Sequence, residues 1–163
     1  MAEESIHPVW RGRWQDARIG LPHGYFTQRS IRLDCRGPLY ISAKAHLSFD
    51  VKVYTATHRV SAKWSEGTGF YTEDVVTRPV AILDHTWVGS EAILYNCIIG
   101  EGSIVALGTV VRSVIVPAMS IVAGNPARLV GVWDRTLQEW FGLSGLPLER
   151  MTKEAYESLQ LHP

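Results

Sequence analysis

Across residues 80–128 the bulky aliphatic positions follow neither a helical rhythm nor strict alternation. Ile82, Val88, Leu94, Ile99, Val105 and Val111 are separated by six, six, five, six and six residues. A second regularity rides on the first. The residue two places before each later aliphatic is small: Thr86, Ala92, Cys97, Ser103 and Thr109, with Ser120 before Val122. Gly or Ala often follows the aliphatic, as at Gly89, Gly100, Ala106 and Ala123. A sixfold repeat of this kind predicts a parallel β-helix, in which each coil is a triangle of three short strands. The aliphatics point into the prism and stack on the coils above and below. Small residues serve the corners, where a large side chain would clash.

The same rhythm is present earlier. Ile41, Leu47 and Val53 are again six apart, and Ala45 stands two before Leu47. The repeat therefore begins near Ile31, and a first set of coils is expected over 31–57. Residues 59–79 break it. They are polar, include Gly67 and Gly69, and carry Trp64, Phe70 and Tyr71. Because the pattern is intact on both sides, this insertion must leave the prism as a protruding loop. Residues 1–30 are expected outside the repeat, as a surface segment with Trp10, Trp14, Tyr25 and Phe26 as anchors. Alternatively they contact an acceptor or a neighbouring subunit. After Arg128 the pattern ends. Asp134 reads as an N-cap, Leu137, Trp140 and Phe141 fall at helix spacing, and Gly142 reads as a stop. A second helical stretch is expected over 152–161, the two helices closing the open end of the prism. The expected organisation is one mainly β domain over 1–163: an N-terminal segment (1–30), a β-helix (31–132) with its loop at 59–79, and a C-terminal helical segment (133–163).

Composition adds bounds. The chain has 163 residues, 46% hydrophobic and 20% charged, within the range of a globular domain. Sixteen Lys and Arg balance sixteen Asp and Glu, which gives no electrostatic reason to expect a nucleic-acid partner. No apolar run approaches the roughly 20 residues a membrane span requires, and the N-terminus has no signal-like apolar core. A cytoplasmic protein without membrane insertion is expected. Of the two cysteines, Cys97 occupies an inward small-residue slot and Cys35 a turn-like stretch. Their spacing suggests neither a disulfide nor a metal site.

The segments VGSEAI, IGEGSI and VALGTV, closed by IVAGNPARLVG, resemble the hexapeptide-repeat acyltransferases. The branch most similar includes galactoside, maltose and nodulation-factor acetyltransferases and polysaccharide O-acetyltransferases. The resemblance covers about residues 31–132. It implies a left-handed parallel β-helix, a homotrimer, and acetyl-CoA bound as acyl donor between adjacent prisms, with a carbohydrate acceptor and no metal.

Transfer of an acyl group from a thioester to a hydroxyl needs a base, because a sugar hydroxyl is a poor nucleophile. Imidazole suits this near neutral pH. His58, in YTATHRV immediately before the inserted loop, stands where the family carries its catalytic histidine. His85, in LDHTWVG, is its main competitor and otherwise lines the acceptor site. Trp87 and Ser90 match the family's Trp-x-Gly-Ser. The resemblance sets Trp87 beside the base and the thioester, and Ser90 near the acetyl group, where a backbone N–H such as that of Gly89 could hold the oxyanion. Ala106 and Gly108 correspond to the coil backbone that pairs with the donor's pantetheine arm. Arg112, Gly124, Asn125, Pro126 and Arg128 would meet its nucleotide end, although Arg112 replaces the family's usual lysine with a shift of one residue.

Three rival readings remain at this level. N-acetylation of an amino sugar would use the same base and donor. A non-catalytic β-helix assembly module would use neither. AILYNCIIG also resembles a segment of the γ-class carbonic anhydrases, but these need three imidazoles on zinc, and Ser90 and Tyr95 occupy two of those places.

Overall fold

The structure, a computed structural model, describes the backbone of residues 17–19 and the whole of 31–161. It is built from three stacks of short parallel strands that the chain visits in rotation. The first face holds Leu39–Ile41, Val80–Ile82, Cys97–Ile99 and Val114–Val116. The second holds His46–Leu47, Trp87–Val88, Ile104–Val105 and Ser120–Ala123, and the third holds Arg32–Leu33, Lys52–Tyr54, Ile93–Tyr95 and Val110–Arg112. Ile82 pairs with Ile99 and Ile99 with Val116, so one circuit takes 17 residues. The expected parallel coil is therefore present, and every aliphatic of the repeat points inward. Ile82, Val88, Leu94, Ile99, Val105 and Val111 are all fully buried.

The five-residue step from Leu94 to Ile99 is the third side of the triangle. Two of its corners contain three residues, such as Gly89, Ser90 and Glu91. The corner from the third face to the first contains two, Tyr95 and Asn96. From residue 83 to residue 119 each of these corners ends on a residue in the left-handed region: Glu91, Asn96, Ser113, Met119 and His85 have φ between 49° and 62°, and Gly102 and Gly108 have φ of 67° and 66°. This residue turns the chain, and the small residue after it faces inward. Thr86, Ala92, Cys97, Ser103, Thr109 and Ser120 are all fully buried. Ser103 and Ser120 each donate their hydroxyl to the Pro117 carbonyl at 2.6 Å, and Thr86 donates to Leu83 O at 3.0 Å. Both cysteines are free and buried. Burial pushes the Cys97 thiol up to about 12, as befits a packing group.

The inserted segment is a β-hairpin rather than an irregular loop. Ala56–Ser65 and Gly69–Thr77 pair antiparallel and project from the coil, largely exposed. Leu39 pairs with Val80 and Leu47 with Val88, so the coil closes across the insertion as if it were absent.

Two expectations for the chain ends change. Residues 17–19 form a strand parallel to Leu39–Ile41 and so join the first face. The rest of 1–30, with its expected aromatic anchors, lies outside the described residues. At the other end, 134–142 is not a helix. Arg128–Asp134 and Glu139–Leu146 form a hairpin whose first strand pairs antiparallel with Ser120–Ala123. The Asp134 carboxylate does accept N–H bonds, from Thr136 and Leu137 at 2.7 and 2.9 Å, but it caps the hairpin turn. The physical reason is the open edge of the last coil. Its unpaired N–H and C=O groups demand partners that a strand supplies and a helix does not. Glu149–Arg150 serves Val114–Val116 in the same way. The only α-helix among the described residues is Lys153–Glu157, capped by Thr152. None is long and apolar enough to cross a membrane.

A Cβ at Gly100 would sit 2.4 Å from the Ala118 backbone N, whereas one at Gly67 in the hairpin turn would meet nothing within 4 Å. Gly100→Ala is therefore expected to destabilise by about 2–4 kcal/mol and Gly67→Ala by less than about 1 kcal/mol in urea unfolding.

Candidate active site

The corner between the second and third faces carries most of the residues expected to hold the acyl donor. Ser90, Gly108 and Gly124 come from successive coils and are tied by the ladder: Gly108 N–H donates to Ser90 O at 2.8 Å and Val110 N–H to Gly124 O at 3.0 Å. Ala106 belongs to the same corner, its N–H donated to Val122 O at 2.9 Å. Gly108 is exposed, and a Cβ built on it would meet nothing within 4 Å. Beside it the Leu107 side chain is 79% exposed, an apolar group standing on this edge with no core role. Asn125 and Pro126, joined by a cis peptide bond, follow Gly124, and Arg128 pairs with Ala123 at the start of the C-terminal hairpin. Arg128 is exposed at this edge.

The ladder also consumes a donor that the sequence made available. Gly89 N–H is bonded to Val105 O at 2.8 Å, so it is not free to hold an oxyanion. The N–H groups of Ala106 and Gly108 are likewise engaged. What this corner offers a ligand is carbonyl oxygen, each with a second lone pair, and small side chains.

Trp87 lies on the outer side of the second face, just before this corner. It is 55% exposed, and its indole N–H donates to the Ser48 hydroxyl at 3.0 Å. His46 pairs with it from the coil below and Ile104 from the coil above. His85 stands apart, at the corner between the first and second faces, where it is the left-handed turn residue. Its neighbour Asp84 is bonded to Lys44 Nζ at 2.7 Å and to the Ser42 hydroxyl, which hold the Asp84 carboxyl below its usual range. Arg112 is at the end of the third face, over the Tyr95 ring at 6.0 Å, two residues after Val110, whose N–H donates to Gly124 O at 3.0 Å and whose carbonyl accepts from Ala127 N at 3.0 Å.

His58 belongs to the remaining corner, from the third face to the first, where the hairpin leaves the coil. It is exposed, stands opposite Val75, and lies against the Tyr71 ring with centroids 4.8 Å apart. Within one chain the third face separates His58 from the Ser90–Gly124 edge. No group of three or more His, Cys, Asp or Glu side chains converges as a metal site among the described residues.

This arrangement can be set beside solved structures. A hexapeptide-repeat acetyltransferase of Vibrio cholerae O1 biovar eltor, solved with acetyl coenzyme A, matches with a TM-score of 0.51 and 25% identity, over 62% of this chain and 52% of its own. A maltose O-acetyltransferase of Clostridium difficile 630 matches with a TM-score of 0.53 and 25% identity, over 61% of this chain and 51% of its own. The structural neighbours of this chain are hexapeptide-repeat acetyltransferases. The chain spans about half the length of these solved structures. No protein-family model matches it.

Against that hexapeptide-repeat frame, sequence reasoning missed three neighbours of the expected site. His46 and Ser48 flank Trp87 in space but stand on the far side of the insertion in sequence. Subtracting the hairpin and counting coils would have aligned His46 with Trp87. Tyr71 reaches His58 only through the pairing of the hairpin, which no repeat encodes.

Because the Trp87 side chain is more than half exposed, it contributes little to the fold. Trp87→Ala is expected to shift stability by less than about 1 kcal/mol, whereas Val88→Ala, one residue on and fully buried, should cost about 2–3 kcal/mol. Denaturant melts of the two variants check this.

Proposed function

We propose that this chain is an acetyl-CoA-dependent O-acetyltransferase that acts on a hydroxyl of a sugar, a polysaccharide or its precursor. The observation that carries the reading is the position of His58. An exposed imidazole in a YTATH segment leaves the coil at the root of the inserted hairpin, on a scaffold like that of the hexapeptide-repeat acetyltransferases. In this reading the coil winds left-handed, as the resemblance implies.

The acyl donor lies along the edge formed by Ser90, Ala106, Gly108 and Gly124. Small residues there let a slender pantetheine arm approach the backbone. Its amide N–H groups meet coil carbonyls, since the coil's own N–H groups of Ala106 and Gly108 are already bonded. The thioester end lies toward Ser90 and Trp87. Asn125, Pro126 and Arg128 meet the nucleotide end, where a guanidinium suits phosphate. Arg112 is the less secure phosphate partner, because it stands one residue away from the family's usual lysine.

His58 accepts the proton of the acceptor hydroxyl as that oxygen attacks the thioester carbonyl. Collapse of the tetrahedral intermediate expels the thiolate of CoA, which takes the proton from the imidazolium. Since His58 and the donor edge occupy different corners of one triangle, a complete site is made by two copies, and a homotrimer closes three such sites. His85, at the corner between the first and second faces, is assigned to the acceptor side.

The reading is tested by following CoA release over a panel of sugars and amino sugars. His58→Ala is expected to lower kcat/KM by about 10²–10⁴-fold while acetyl-CoA still binds. Undiminished turnover in that variant contradicts the assignment. Absence of acetyl-CoA binding by calorimetry favours the assembly-module reading, and turnover confined to amino sugars favours N-acetylation.

A further inference from the structure

The insertion hairpin carries His58, yet most of its surface is in solvent, so its direction is decided where it joins the coil. That junction is built around a buried charge. Asp34 sits at the third corner of the first coil with its side chain fully buried. Its Oδ1 accepts from Arg36 Nε at 2.8 Å and from Arg36 N at 3.2 Å. Its Oδ2 accepts from Arg36 Nη2 at 2.8 Å and from Ala56 N at 3.2 Å. Ala56 is the first residue of the outgoing hairpin strand, two before His58.

The returning strand is held at the same place. Thr55 donates its hydroxyl to Asp34 O and accepts from Gly37 N at 2.9 Å, while its carbonyl accepts from Arg78 N at 2.7 Å. Gly37 allows this closeness, for a Cβ there would lie 2.7 Å from Thr55 O and 3.0 Å from Thr77 Cβ. Both ends of the hairpin are thus clamped on one carboxylate and its neighbour.

We propose that Asp34 is a positioning residue for His58. It acts through the hairpin root by holding the Ala56 N–H on the same oxygen that binds the Arg36 guanidinium. This inference rests on the reading of His58 as the base. The carboxylate is required because both of its oxygens accept two bonds. An amide at this position offers one accepting oxygen, and its NH₂ group opposes either the guanidinium or the Ala56 N–H. A lever released at its root moves the imidazole two residues out, and displacement of a reacting group by about 1 Å can cost on the order of 100-fold in rate.

The test compares the wild-type chain with Asp34→Asn and with the neutral double variant Asp34→Asn/Arg36→Gln. It measures steady-state kinetics with acetyl-CoA and the best acceptor, and amide hydrogen exchange. The expected result is a kcat lower by about tenfold or more, with KM for acetyl-CoA within about twofold. Exchange at 56–59 and 75–78 should speed up by about tenfold while Val88 and Val105 in the coil keep wild-type protection. Wild-type kcat in a folded variant overturns the inference, as does loosening spread equally over the coil. Failure of both variants to fold assigns Asp34 to the fold as a whole and also overturns it. The two readings fail separately. Full turnover in His58→Ala removes the base assignment, and normal kinetics in Asp34→Asn beside an inactive His58→Ala removes only the role of Asp34.

Discussion

Each coil must bring its inward rows back over those of the coil below within strand-pairing distance, about 4.8 Å; from Val80 onward it does so every 17 residues, and Leu33 meets Val53 after 20. The rows that result are continuous columns: Ile41, Ile82, Ile99 and Val116 on one face, Leu47, Val88, Val105 and Val122 on the next, Leu33, Val53, Leu94 and Val111 on the third. Neither the burial of a single strand nor the pairing of two would hold the fold, since strands of two or three residues are marginal alone. Stability is collective along the column. This explains why the corners tolerate so little. Gly89 and Gly100 leave no room for a Cβ, and the residue that turns each corner accepts a left-handed backbone even when it is His85, Glu91 or Met119.

That constraint also creates the surfaces available for chemistry. A strand of the coil sends alternate residues outward, and each corner presents two or three residues to solvent. The outer side of the second face sets Trp87 between His46 and Ile104, and the adjoining corner aligns Ser90, Gly108 and Gly124. The ladder engages the N–H groups of Gly89, Ala106 and Gly108, and what remains is the second lone pair of the corner carbonyls. The coil can therefore offer a straight track. In the proposed reading the base comes from outside the repeat, from the hairpin whose root bonds to Asp34.

Much of this was legible in the chain itself. The inward aliphatics and the small residues two places before them define the coil, and the break at residues 59–79 marks the insertion. The five-residue step, which reads as an irregularity in one dimension, is the short corner of a triangle and recurs from Val111 to Val116. What was not legible depends on edges and insertions. Leu137, Trp140 and Phe141 satisfy helical spacing, yet the unpaired edge of Ser120–Ala123 drew this region into a hairpin, where Trp140 meets Trp133 with ring centroids 5.4 Å apart. Local periodicity carries no information about an edge waiting elsewhere for a partner. Likewise Asp34 reads as one carboxylate in a turn, and its burial appears only once the hairpin root has closed over it.

The central claim is that base and donor edge lie on different corners of one chain and meet only between copies. Its most direct test mixes two separately inactivated chains. His58→Ala removes the base. Gly108→Asn keeps the left-handed backbone and fills the open space on the donor edge. Oligomers assembled from equal amounts of both should recover about a quarter of wild-type turnover, because random assembly pairs an intact base with an intact edge at about one site in four. Turnover no greater than that of the two parents, in oligomers shown to be mixed, would contradict the account.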